Sequence, residues 1–198
     1  CIPSSDYEIY KKISNKHKKE KNYHIFIDQN WPFHKDFDTW NALENSEKYF
    51  SELRNFFDYL ENKTGKKVKV ALHPRTKNNV GDYGKRELIK DDTGYLIYNS
   101  DLVIAHSSTA ISFAVMMNKK ILLLTSNQIT PLMDKMINNF SVTLNIPLLN
   151  ISNKYKSLKD FINKKNYPLY LDKFVAKKTI RIRNKKASRI IVDYLNKL

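Results

Sequence analysis

Short apolar runs recur along the chain, each flanked by polar residues. The runs at 102–105 and 121–124 are almost continuously hydrophobic, as expected of parallel strands that are covered on both faces. Three further runs have similar length and composition. The pattern therefore predicts buried strands at 24–28, 68–72, 102–105, 121–124 and 147–151.

The segments between these runs carry hydrophobic residues at helical spacing. The clearest helix lies between Ser46, its predicted N-terminal cap, and Gly65, its predicted stop. Its apolar residues recur every three or four positions, and we expect them in the core: Tyr49, Phe50, Leu53, Phe56, Phe57 and Leu60. Further helices are predicted at 92–99, from the turn at 106–109 onward, and at 130–139, 157–164 and 187–198. Loop or irregular chain is predicted at 76–87 and 165–185.

Alternating strands and helices predict an α/β fold, with a mainly parallel, Rossmann-like sheet and helices on both faces. We expect one such domain over residues 23–198, preceded by a linker or N-terminal extension over residues 1–22. The sequence contains neither the glycine fingerprint of dinucleotide-binding domains nor a phosphate-binding P-loop. A nucleophile elbow with serine between glycines is also missing.

Composition restricts the function classes further. The 198 residues carry a formal charge of +15, with 29 lysines against 6 arginines. Nucleic-acid binders favour arginine, so we attribute the lysine excess to codon bias and expect no nucleic-acid partner, with peripheral membrane association left open. No apolar run reaches the roughly 18 residues of a membrane span, and we expect a cytoplasmic protein, with the inner membrane face as the alternative.

Cysteine and histidine usage adds two expectations. The single cysteine excludes an internal disulfide framework and fits a reducing compartment. The five histidines are scattered without zinc-ligand spacing, so no metal site is expected. Because the chain starts with Cys1 and not with Met, we expect a fragment of a longer protein.

Two polar motifs follow predicted strands directly. His73-Pro74-Arg75 comes after the strand at 68–72, and His106-Ser107-Ser108-Thr109 comes after the strand at 102–105. In a parallel sheet both would lie at the carboxyl edge, where ligands bind. A histidine, an arginine and a hydroxyl-lined helix start suit a phosphate. The alternative is structural, because His-Pro is a common turn and Ser and Thr are ordinary helix caps.

The loop after the first strand adds candidate cleft residues. Asp28, Gln29 and His34 are polar or ionisable, and they follow the strand at 24–28. Loops at the carboxyl ends of strands often carry site residues. The alternative is that Asp28 caps a turn and that His34 is a surface histidine.

The two motifs resemble those of a known family. His73-Pro74, followed by Ser107-Ser108-Thr109 after a later strand, is similar to the carboxy-terminal, nucleotide-binding domain of bacterial GT-B glycosyltransferases. The closest likeness is to sialyltransferases, polysialyltransferases and related enzymes of capsule and lipooligosaccharide synthesis. The segment 26–34 also looks like surface-polysaccharide proteins. The resemblance covers roughly residues 23–125.

This resemblance implies a role for each matching residue. His73, Ser108 and Thr109 would hold the donor phosphate, with Ser107 and Arg75 in support and His106 near the cleft. His73 would assist departure of the phosphate, and no metal or other cofactor would be needed. The implied substrates are a nucleotide-sugar, such as CMP-sialic acid or a UDP-sugar, and a glycan or glycolipid acceptor. The catalytic base would lie in an amino-terminal domain that this chain lacks.

Two other functions compete with a glycosyltransferase. A sugar-nucleotide epimerase of GT-B architecture would need further carboxylates in the cleft, and Asp28 and Asp101 are the visible candidates. A non-enzymatic basic module for acidic glycans or nucleic acid is favoured by the basic run at 177–186. That run has no interleaved aromatic residues for base stacking.

Overall fold

A computed structural model of the chain describes residues 4–14, 22–33, 41–155 and 157–176, together with Arg189 and Val192. The strands are β1 (Tyr23–Ile27), β2 (Lys67–Ala71), β3 (Leu88–Ile89), β4 (Ser100–Ala105), β5 (Lys120–Thr125) and β6 (Leu148–Asn150). The helices are α1 (Ser5–Ser14), α2 (Ser46–Thr64), α3 (Thr93–Asn99), α4 (Ile111–Met116), α5 (Pro131–Leu144) and α6 (Tyr167–Tyr170). A 3₁₀ helix forms at Leu158–Phe161, and α6 continues into a π-helical turn at Leu171–Val175.

The strands of the described residues form one six-stranded sheet in the order β3-β2-β1-β4-β5-β6. Every neighbouring pair is parallel, which confirms the predicted Rossmann-like α/β fold. The chain starts in the middle at β1, moves outward to β3, and returns to place β4 on the other side of β1. The direction of strand addition thus reverses between β1 and β4. In open α/β sheets a crevice forms at the carboxyl ends of such a strand pair.

Both faces of the sheet are covered, because strand side chains alternate between them. Ile25 and Val103 belong to a core cluster that also contains buried residues of α1, α3, α4 and α6. Phe26 and Ile104 belong to the opposite cluster, which the aromatic stripe of α2 fills. Helix α5 contributes to both clusters. The short apolar runs in the sequence are therefore buried on two sides, as predicted.

Some helices begin or end at residues other than those predicted. Asn45 caps α2, because its backbone is extended and its side-chain oxygen accepts a hydrogen bond from the Lys48 N–H at 2.9 Å. The predicted cap, Ser46, is already the first helical residue. Gly65 ends the helix as predicted, with a left-handed φ of 68°. Helix α5 runs five residues beyond the predicted end at Asn139, to Leu144.

Other predictions were wrong or lie outside the described residues. The segment 165–185 was predicted to be irregular, yet Tyr167 and Tyr170 are buried in α6 and anchor it against the core. Strand β3 lies at the end of the predicted loop 76–87, and its two residues were too few to show a pattern. The predicted helix at 187–198 and the basic run at 177–186 fall outside the described ranges.

The N-terminal region contains α1, whose Tyr7 is buried against the sheet. The predicted domain boundary near residue 22 stays a prediction. Across the described ranges, no helix is long and apolar enough to cross a membrane.

Candidate functional site at the carboxyl edge of the sheet

His73 is the second residue after β2 and is half-buried. Its Nδ1 accepts a hydrogen bond from the Arg75 backbone N–H at 3.2 Å, and its carbonyl accepts one from the Thr76 N–H. Because Nδ1 is an acceptor, the ring proton of the neutral imidazole lies on Nε2. Pro74 and Arg75 are exposed in the turn that follows. The His-Pro turn thus sets the tautomer of His73 as well as the direction of the chain.

The second motif follows β4. Ser107 is buried, Ser108 is half-buried and Thr109 is exposed. The hydroxyl oxygen of Ser108 accepts a hydrogen bond from the Ala110 N–H at 3.3 Å. The N–H groups of Ile111 and Ser112 donate to the carbonyls of Ser108 and Thr109.

These contacts define which backbone donors of the turn are available. Within the part of the chain that the structure describes, the N–H groups of Ser108 and Thr109 have no hydrogen-bond acceptor. Helix α4 begins at Ile111, later than the sequence suggested, and spans only six residues. A helix this short has a weak dipole. The turn itself, with two adjacent unpaired donors, is therefore the part that suits an anion.

Asp28 joins the ends of β1 and β2. It is 4% exposed. One carboxylate oxygen accepts hydrogen bonds from the Tyr83 hydroxyl at 2.6 Å and the Asn30 N–H at 2.7 Å. The other oxygen accepts a longer one from the His73 N–H at 3.4 Å. Burial raises the pKa of Asp28, and the hydrogen bonds from Tyr83, Asn30 and His73 oppose that rise.

Tyr83 was missed by sequence reasoning. It lies in the predicted loop 76–87, which has no periodic pattern, but it is buried and donates to Asp28. The loop is held close to α2, since a Cβ at Gly81 would lie 2.2 Å from a ring carbon of Phe50. The only local signal was an aromatic residue between two glycines.

Arg86 lies in the same loop. Its side chain is 8% exposed, forms ion pairs with Asp58 and Glu61, and lies over the Phe57 ring. Both acidic partners lie on α2, so these ion pairs hold the loop against that helix.

Gln29 joins the ends of β1 and β4. Its side-chain oxygen accepts a hydrogen bond from the Ser107 N–H at 3.1 Å, and its amide nitrogen donates to the Ser107 hydroxyl oxygen at 3.4 Å. This bridge lies where the strand order reverses. Gln29 thereby fixes the first residue of the anion-suited turn.

His106 is in the core and does not line the cleft. It is 1% exposed, and its ring stacks on Trp31 at 5.0 Å between centroids. Its Nδ1 donates to the Leu124 carbonyl, and its Nε2 accepts from the Tyr49 hydroxyl at 2.7 Å. Burial lowers the pKa of His106 to about 4. A neutral histidine with both nitrogens satisfied has a packing role at this position.

The remaining candidates lie elsewhere. His34 falls outside the described residues. Asp101 is the second residue of β4, at the amino edge of the sheet, where it pairs with Lys66 at 2.9 Å. Among the residues that the structure describes, no group of three or more His, Cys, Asp or Glu side chains is arranged to hold a metal ion.

The carboxyl edge thus brings His73, Asp28, Gln29 and the 107–109 turn together. β1 separates β2 from β4, so the two motifs are two strand spacings apart, about 10 Å. The His73 imidazole and a phosphate group together can fill that gap. The groups on both sides of this crevice can donate hydrogen bonds to an anion.

Two solved structures are similar to this chain at low sequence identity. No protein-family model and no curated protein matches the chain. A crystal structure of the glycotransferase of kitacinnamycin matches 71% of this chain and 33% of its own, at 9% identity and a TM-score of 0.34. The β-Kdo 2,4-transferase KpsC of Thermosulfurimonas dismutans matches 55% of this chain and 35% of its own, at 15% identity and a TM-score of 0.34. The chain spans about a third of the length of either solved protein.

Proposed function

We propose that this chain is the donor-binding domain of a bacterial glycosyltransferase of GT-B architecture that builds a surface polysaccharide or glycolipid. The observation that carries the proposal is that His73, after β2, and the unpaired N–H groups of Ser108 and Thr109, after β4, lie at the same carboxyl edge of the sheet on either side of β1. A nucleotide-sugar phosphate is the ligand that this set of donors suits.

The proposed chemistry is group transfer with inversion. An acceptor hydroxyl attacks the anomeric carbon of the donor sugar, and the bond from that carbon to the phosphate oxygen breaks. The electron pair stays on the phosphate oxygen, where negative charge develops. The N–H groups of Ser108 and Thr109 stabilise this charge, and the Nε2–H of His73 donates a hydrogen bond to it.

These donors also support a metal-independent reaction. A metal ion in phosphate transfer neutralises charge on the leaving oxygen, and here His73 and the two N–H groups would do so. Arg75 is exposed beside His73 and adds positive charge. The proton of the acceptor hydroxyl goes to a base in the acceptor-binding part of the enzyme, beyond this domain.

The motif resemblance favours a sialyltransferase-like donor, such as CMP-sialic acid, over a UDP-sugar. The proposed partners are this donor, a glycan or glycolipid acceptor, and the acceptor-binding domain. The proposed location is cytoplasmic, where nucleotide-sugars are made, or at the inner membrane face. The formal net charge of +15 would assist approach to anionic lipids.

The epimerase alternative is less well supported. It needs carboxylates that reach the substrate, but Asp28 is buried under three hydrogen-bond donors and Asp101 lies at the opposite edge of the sheet.

Calorimetric titration of CMP and UDP into the domain tests donor binding. We expect heat with at least one nucleotide, and loss of that heat in His73→Ala. If neither nucleotide binds at millimolar concentration, the proposal fails. The matched control is His24→Gln, at the amino edge of the sheet, which should leave nucleotide binding unchanged.

A further inference from the structure

Gln29 lies beyond the last ladder pair between β1 and β4. The final paired residues are Phe26 and Ile104. Three residues further along the sequence from each of these, beyond the strand ends, the Gln29 amide contacts Ser107 with both its oxygen and its nitrogen. The side chain therefore continues the contact between the two strands where the backbones no longer pair.

The Gln29 contact has a consequence for the turn that follows β4. Ser107 is held on one side by Gln29, and the chain is held on the other side by the first hydrogen bonds of α4, from Ile111 to Ser108 and from Ser112 to Thr109. Between these two anchors, the N–H groups of Ser108 and Thr109 have no acceptor within the described residues. Two adjacent free donors of this kind form an anion-binding concavity, and the two anchors flank it.

We propose that Gln29 is the positioning residue of the anion site, holding Ser107 so that the N–H groups of Ser108 and Thr109 remain together and available to a phosphate. The inference rests on the proposed function, since it assigns the residue that shapes that same phosphate site. Gln29 acts through Ser107 and does not itself bind the anion.

A neutral amide suits this role better than a charged side chain. Gln29 must accept from an N–H and donate to a hydroxyl oxygen, and an amide offers both functions. A carboxylate could accept from Ser107, but it would put negative charge beside the incoming phosphate. A hydrocarbon side chain could do neither, and it would leave the Ser107 N–H without its partner.

The test uses three variants of this chain and inorganic phosphate as the probe. Hydrogen exchange of the Ser107 amide reports the Gln29 contact, and phosphate-dependent shifts of the Ser108 and Thr109 amide resonances report the site. Asn150→Leu is the matched control, because Asn150 also bridges neighbouring strand ends, through a hydrogen bond to Asn127, but does not contact the turn.

In Gln29→Leu we expect about tenfold faster exchange at Ser107 and about tenfold weaker phosphate binding. In Gln29→Glu we expect the Ser107 amide to stay protected from hydrogen exchange while phosphate affinity falls. This variant therefore separates the effect of the conformation of the turn from the effect of charge beside it. Asn150→Leu should change neither quantity.

Phosphate binding at full strength in Gln29→Leu would overturn this inference alone and leave the proposed function standing. If phosphate does not shift the Ser108 and Thr109 amide resonances of the unmodified chain, both this inference and the proposed function are wrong. If Gln29→Leu does not fold, the test uses Gln29→Glu alone. Fast hydrogen exchange at Ser107 together with unchanged phosphate affinity in that variant contradicts the positioning role of Gln29.

Discussion

At the scale of single residues, burial separates two histidines at the same edge of the sheet. His73 is half-buried, with its protonated nitrogen fixed by a backbone contact. His106 is enclosed by Trp31 and Tyr49 and stays neutral. His73 has the properties of a hydrogen-bond donor to a ligand, and His106 has those of a core residue.

The burial of His106 predicts a pH-dependent stability. Its folded pKa of about 4 lies below the ordinary value of 6.5, so between these values the unfolded chain binds more protons than the native protein. The contribution is fully present above pH 6.5 and decreases as the pH falls toward 4, by about 3 kcal/mol. Urea unfolding at pH 7 and pH 4 should show this loss in the unmodified chain and a smaller loss in His106→Gln. His24, whose pKa burial also lowers to about 4, remains in both proteins. If the free energy of unfolding falls equally in the two proteins, His106 is not a source of this pH dependence.

The Asp28 carboxylate predicts a second effect. Tyr83→Phe removes the hydroxyl that donates to this buried group at 2.6 Å, and we expect the free energy of unfolding at pH 7 to fall by about 1–3 kcal/mol. Tyr59→Phe is the control, because the Tyr59 ring is only half-buried against Tyr155, and it should change stability by less than about 0.5 kcal/mol. A Tyr83→Phe protein as stable as that control would show that Asp28 does not need this donor.

At the scale of elements, helix α2 depends on its first turn. Asn45 accepts from the Lys48 N–H and precedes the helix, whereas Ser46 lies inside it. We expect Asn45→Ala to lower the free energy of unfolding by about 1 kcal/mol and Ser46→Ala to have little effect. Denaturant unfolding of the two single variants measures the difference. The reverse order of effects would restore Ser46 as the cap.

The elements also show how far the sequence determines the structure. Helix α2 and all strands of the described residues except β3 could be predicted, because their patterns are local and repeat along each element. The His73 and Ser107–Thr109 positions followed from the strands that precede them. The Asp28–Tyr83 contact could not be predicted, since it joins residues 55 positions apart through a loop without a pattern. The burial of His106 depends in the same way on Trp31 and Tyr49, which lie on other segments.

At the scale of the whole molecule, the strand order gives the site its location. The chain begins the sheet at β1, near its centre, and adds strands first on one side and then on the other. The strands β1 and β4 are therefore neighbours at the point where the direction of strand addition reverses. Asp28, Gln29 and the 107–109 turn come from these two strands, and His73 comes from the next one. A ligand bound in this crevice would therefore contact residues that are far apart in the sequence, with the two halves of the sheet on opposite sides of it.

For the proposed glycosyltransferase, this arrangement predicts unequal roles for the two sides of the crevice. His73→Ala should lower the single-turnover rate by about 10²–10³, and donor affinity much less, because a group that assists phosphate departure acts mainly as charge develops in the transition state. Thr109→Ala should cost less, because it removes an exposed hydroxyl and keeps the backbone N–H that we assign to the phosphate. If His73 only shapes the turn before Pro74, its loss should lower the thermal midpoint and leave the turnover of the folded protein nearly normal. Measuring the thermal midpoint, the donor dissociation constant and the single-turnover rate on the same variant separates these outcomes. A folded His73→Ala enzyme with an almost unchanged rate would remove His73 from the reaction and leave the Ser108–Thr109 turn as the remaining phosphate contact.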